Sequence, residues 1–89
     1  MNPAYTPEAE AYRLTVQAFL KANLPSDWKG IGTLEGKQLE DFVTQWRKVL
    51  ATGGFLAMGW PKQYGGGGLS ALEQVIAAEE FERAGVPTG

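Results

Sequence analysis

Apolar residues recur along this chain at helical spacing in three separate stretches. In the first, Tyr12, Val16, Phe19 and Leu20 fall at i, i+4, i+7 and i+8, one apolar stripe, with Arg13, Gln17 and Lys21 around the rest of the surface. Thr6 can cap such a helix, and Pro7 suits its first position because the N–H it lacks would have no partner there. Glu8 and Glu10 favour the positive end of the helix dipole. The pattern predicts a helix over about 7–22, ended by Leu24-Pro25.

The second stretch has the clearest periodicity. Leu39, Phe42, Val43, Trp46, Val49 and Leu50 follow i, i+3, i+4, i+7, i+10 and i+11, with Glu40, Asp41, Gln45 and Lys48 on the polar face. Acids lie toward its start and Arg47-Lys48 in its last turns, which complements the macrodipole. Gly53-Gly54 supplies a left-handed stop, so the helix is expected over about 37–52. The third stretch opens with Ser70-Ala71-Leu72-Glu73, a capping box in which the Ser hydroxyl and the Glu carboxylate each satisfy an orphan backbone donor. A helix over about 70–84 follows, stopped by Gly85 with Pro87 beyond. Leu72, Val75 and Ile76 begin its apolar face, and Ala77, Phe81 and Ala84 continue it one step around, giving a stripe broad enough for more than one neighbour.

Between these helices the periodicity fails. Ser26 to Thr33 carries turn formers and glycines and reads as a surface connection with Trp28 tucked down. Phe55-Leu56-Ala57-Met58 is too short to assign by period and reads as buried extended chain. It leads into Gly59-Trp60-Pro61-Lys62-Gln63-Tyr64-Gly65-Gly66-Gly67-Gly68, which cannot be helical: Pro61 fixes its own φ and pushes Trp60 toward extended geometry, and four glycines remove the side chains that would hold a regular element. Gly-rich linkers rarely carry large rings, so Trp60 and Tyr64 are expected to anchor this loop by burial, making it ordered. The fold class is therefore all-α, three helices with a long ordered Gly-rich loop between the second and third.

Composition narrows the chemistry. Eighty-nine residues make at most one small domain, which buries only roughly 60–65% of its unfolded surface. Three Trp, three Tyr and four Phe mark a globular composition. A net charge of −2 with interspersed signs provides no basic stripe for a phosphate backbone, so nucleic acid is not expected as a partner. The absence of Cys and His removes disulfides, thiolate nucleophiles, imidazole bases and the usual zinc ligands. No apolar run reaches membrane-spanning length and the first residues have no apolar core of a signal peptide, so a soluble, cytoplasmic protein is expected.

No motif supplies a nucleotide or catalytic site. A P-loop needs Gly-Lys-Ser/Thr where Gly68 is followed by Leu69-Ser70, and the dinucleotide spacing fails both at Gly65-x-Gly67, leading to Ser70, and at Gly30-x-Gly32, leading to Glu35. Glu79 and Glu80 look like a carboxylate pair, but adjacent helical residues point about 100° apart and cannot converge on one substrate atom. Glu79 to Arg83 is expected to be an i,i+4 pair on a solvated face. Glu80, one turn after Ile76 and close to the apolar stripe, is a candidate for burial against a cation or a backbone donor from another segment.

Leu24-Pro25 followed by Asp27-Trp28, then Gly59-Trp60-Pro61-x-x-Tyr64-Gly65-Gly66-x-Gly68, then the helix ending Glu79-Glu80-x-x-Arg83-Ala84-Gly85 together resemble the N-terminal region of the acyl-CoA dehydrogenases. Gln63 stands where a glutamate is common in similar loops, and Gly67 occupies a variable position. The resemblance covers nearly the whole chain and implies a flavoenzyme subunit with an N-terminal helical domain, a middle β-domain and a C-terminal helical bundle. Residues 1–89 correspond only to part of the first. In the family a glutamate of the C-terminal bundle removes the α-proton of an acyl thioester while the β-hydrogen leaves as hydride to the flavin of FAD. The resemblance places neither that base nor the main flavin-binding segments in these residues, so no catalytic, cofactor-binding or metal residue is assigned. It also implies an acyl-CoA substrate, the remaining domains of the same subunit as partners, a homo- or hetero-oligomer, and a place for these residues beside the acyl-chain pocket.

Two functions of different class follow. In one, the chain is the N-terminal part of an FAD-dependent acyl-CoA dehydrogenase, a structural wall with no activity alone. In the other, suggested by the lack of reactive side chains, it is a free-standing three-helix interaction module whose Trp60/Tyr64 loop recognises a partner protein.

Overall fold

The computed structural model describes residues 6–87. Three helices, α1 (Pro7–Asn23), α2 (Gly36–Gly53) and α3 (Ala71–Ala84), alternate with two short 3-10 turns at Ile31–Thr33 and Lys62–Tyr64, and the described residues contain no strand. Local chemistry sets most of the ends. The Thr6 hydroxyl accepts the Ala9 N–H at 3.1 Å and Pro7 opens α1, which closes at Leu24 in extended geometry. The amide of Glu73 donates to the Ser70 hydroxyl while the amide of Ser70 donates to the Glu73 carboxylate, so Ser70 stands outside α3 as its cap. Gly54, at φ 81°, closes α2, and only a residue tolerant of the left-handed region turns the chain there without strain.

One difference concerns α2. Its first turn holds no acid and its last turn no base, because the helix runs one residue further at each end than expected and leaves Glu40 and Arg47-Lys48 inside. The macrodipole meets an acid only at the N-cap, Glu35, and no base in the last turn, and the helix is held by packing.

The packing is aromatic. Trp28 stacks on Phe42 at 4.5 Å between ring centroids, and Phe42 on Trp46 at 5.6 Å. Trp46 tilts onto Phe81 at 6.3 Å and Phe81 onto Phe55 at 5.2 Å, and Phe55 meets Phe19 at 4.7 Å. A continuous run of rings therefore joins all three helices, with Val16, Leu20, Leu50 and Ala77 filling between them. Each such ring pair adds about 0.5–1.5 kcal/mol beyond the area it buries. Gly53 makes the crossing of α1 and α2 possible: a Cβ there would lie 2.6 Å from the Phe19 ring.

The segment expected to be buried extended chain is instead a tight turn. Phe55 is buried, but Leu56 is exposed and Ala57 and Met58 are only half covered. Phe55 is committed to the ring cluster, with its amide donating to Leu50 O, and the chain must reverse at once to enter the glycine loop, which turns Leu56 outward.

The radius of gyration of 13.7 Å exceeds the about 12 Å expected for a compact domain of this length. The shortest dimension, 17 Å, allows no more than two helix layers at 8–10 Å spacing. The result is a flat molecule with broad faces.

Candidate functional site

Two places concentrate chemistry. The first is an ionic cluster where α1 crosses α3. Arg13 sits at the edge of the α1 stripe, one turn before Val16, and the crossing carries its guanidinium under α3. Nη1 donates to Glu80 Oε2 at 2.6 Å and Nη2 to Glu79 Oε1 at 2.9 Å, while Nε reaches Glu10 Oε1 at 3.3 Å. Glu80 is completed by Gln17 Nε2 on Oε1 at 3.0 Å and by Arg83 Nη1 on Oε2 at 2.9 Å. The Arg13 side chain is 11% exposed and that of Glu80 5%.

Burial of Glu80 against a cation from another segment is thus observed, and the cation is Arg13. The expected Glu79–Arg83 pair is not. Arg83 turns back one helical turn to Glu80, and Glu79 is drawn to Arg13, because a guanidinium held beneath the helix offers each of the two neighbouring carboxylates its own nitrogen. Adjacent helical carboxylates diverge, as the geometry demands, yet the fork of one arginine spans the divergence. Its hydrogen bond to Glu80, followed by that to Glu79, raises the Arg13 pKa above its ordinary value. Next to it, burial and then the charge of Glu73 push the Tyr12 phenol up to about 12.

The second place is the loop. Trp60 and Tyr64 were expected to anchor it by burial, but they are 62% and 68% exposed. The backbone holds the loop instead. The amides of Trp60 and Gly67 donate to Ala57 O, those of Tyr64 and Gly66 to Pro61 O, and those of Gly65, Gly68 and Leu69 to Lys62, Trp60 and Met58 carbonyls, all at 2.8–3.1 Å. This folding needs glycine at two close approaches: a Cβ on Gly66 would lie 2.2 Å from Trp60 O, and one on Gly67 2.2 Å from Gly54 O. The chain wraps so tightly on itself that the rings have no interior to enter.

Neither place is arranged for a flavin. Every buried side-chain nitrogen or oxygen among the described residues has a hydrogen-bond partner, and the amides of the glycine run are turned into the loop, away from any phosphate. No cluster of acidic residues that could hold a metal ion occurs among the described residues, and no described helix is long and apolar enough to cross a membrane.

Comparison with known proteins decides the family. The sequence model described as Acyl-CoA dehydrogenase, N-terminal domain, matches residues 6–89. The chain belongs to the acyl-CoA dehydrogenase family. Among its relatives, Acyl-CoA dehydrogenase IpdE1 of Mycobacterium tuberculosis is 35% identical over 85 residues, covering 90% of this chain and 22% of that protein. The protein of the same name from Mycolicibacterium smegmatis is 36% identical over 85 residues, covering 90% and 21%. Acyl-CoA dehydrogenase FadE26 of Mycobacterium tuberculosis is 33% identical over 91 residues, covering 98% and 22%. The chain thus spans about a fifth of the length of these acyl-CoA dehydrogenases. No solved structure matches it. Within the family's N-terminal domain, the residue that sequence reasoning missed is Arg13, placed on the solvated face; its partner Glu80 lies 67 residues away, and no local signal marks the pair.

Proposed function

We infer that this chain is the opening, non-catalytic wall of an FAD-dependent acyl-CoA dehydrogenase, which desaturates acyl-CoA thioesters between the α and β carbons. The match of the N-terminal domain across residues 6–89 carries the inference. The flatness of the molecule supports it, because Leu14, Leu56 and Val75 lie exposed on broad faces that a further layer would cover. In this reading the middle β-domain, the C-terminal helical bundle, the proton-abstracting carboxylate and the flavin site belong to the rest of the subunit. The ionic cluster holds α1 and α3 at a fixed crossing beside the acyl-chain pocket. The whole enzyme is a cytoplasmic homo- or hetero-oligomer that takes acyl-CoA as substrate and carries FAD.

Intact mass and absorbance of the protein expressed from its native gene test this. A mass several times 9.6 kDa with a bound flavin is expected. A product near 9.6 kDa without flavin would overturn it.

The exposure of Trp60 and Tyr64 on a loop stiffened by its own backbone favours a second reading, a protein-interaction module. Trp and Tyr are enriched among residues that dominate binding at protein interfaces. Under that reading, Trp60→Ala abolishes capture of a partner by the 9.6 kDa product without unfolding it.

A further inference from the structure

We draw no further inference here: the strongest candidate, the surface patch of Trp60, Lys62 and Tyr64 on the glycine loop, carries nothing because nothing in the structure shows what covers it.

Discussion

The α1–α3 crossing and the glycine loop are both held by hydrogen bonds, of opposite kinds. At the crossing, charged side chains from positions 63–67 residues apart meet and fix the helices through Arg13, Gln17, Glu79 and Glu80. In the loop, side chains are what must be missing, and seven backbone hydrogen bonds close a segment whose two large rings face solvent. The difference teaches that backbone hydrogen bonding and side-chain burial are separate properties. A loop can be shaped by backbone donors and close approaches alone, and its aromatic residues are then left over for something else.

The comparison is broken most sharply at its hub. Arg13→Ala leaves Glu80 buried with only Gln17 and the largely exposed Arg83, and removing one partner of a buried ion pair costs about 3–5 kcal/mol. A loss near the lower end, about 3 kcal/mol, is expected by urea unfolding because part of the cage remains. Arg13→Met combined with Glu80→Met should recover most of it, since the charge that needed a partner goes too. If the double variant is as unstable as the single one, the cluster contributes more than the avoidance of an unpaired charge.

The loop is broken by adding one carbon. Gly67→Ala places a Cβ 2.2 Å from a backbone oxygen that cannot swing away, and overpacking of this kind costs about 1–3 kcal/mol. Gly65→Ala meets nothing within 4 Å but must hold φ at 86°, a left-handed strain of about 1 kcal/mol. The expected order is therefore Gly67→Ala worse than Gly65→Ala by about 1 kcal/mol in the same unfolding measurement. Equal losses would mean that the loop yields at Gly54 and is not closed by its backbone.

How much of this was legible in the sequence follows from the range of each interaction. Ser70 with Glu73, Thr6 with Pro7, and Gly54 and Gly85 at helix ends act within four residues, so residue type and spacing disclose them. The three apolar stripes disclose the helices for the same reason. Arg13 was not legible, because nothing within a turn of it distinguishes a solvated arginine from one that a crossing helix covers. Glu80 was legible only as an acid beside a stripe. Trp60 and Tyr64 misled because ring size argues for burial only where an interior is within reach, and whether it is depends on the wrap of the backbone around them. The family itself was readable from motif order across the whole chain, which no single contact carries.

Because Trp60 is exposed, Trp60→Ala should change stability by no more than about 0.5 kcal/mol, the usual range for surface substitutions. Circular dichroism through urea unfolding measures it. A larger loss would restore the ring as an anchor of the loop and erase the contrast with the crossing.

The smallest effect lies in pH. Arg13 is held above an already high pKa, so its guanidinium keeps its charge at every alkaline pH where the protein is handled. Tyr12, its neighbour on α1, behaves differently. Its phenol is raised from 10.0 to about 12, first by burial and then by Glu73, so the folded chain keeps a proton that the unfolded chain releases. The contribution is fully present below pH 10 and is lost as pH rises through the interval from 10.0 to about 12. Urea midpoints measured on either side of that interval should fall for the native sequence and fall less for Tyr12→Phe. An equal fall in both would show that the phenol ionises as freely at the crossing as in water, and that the closure of α3 over α1 stops at the guanidinium.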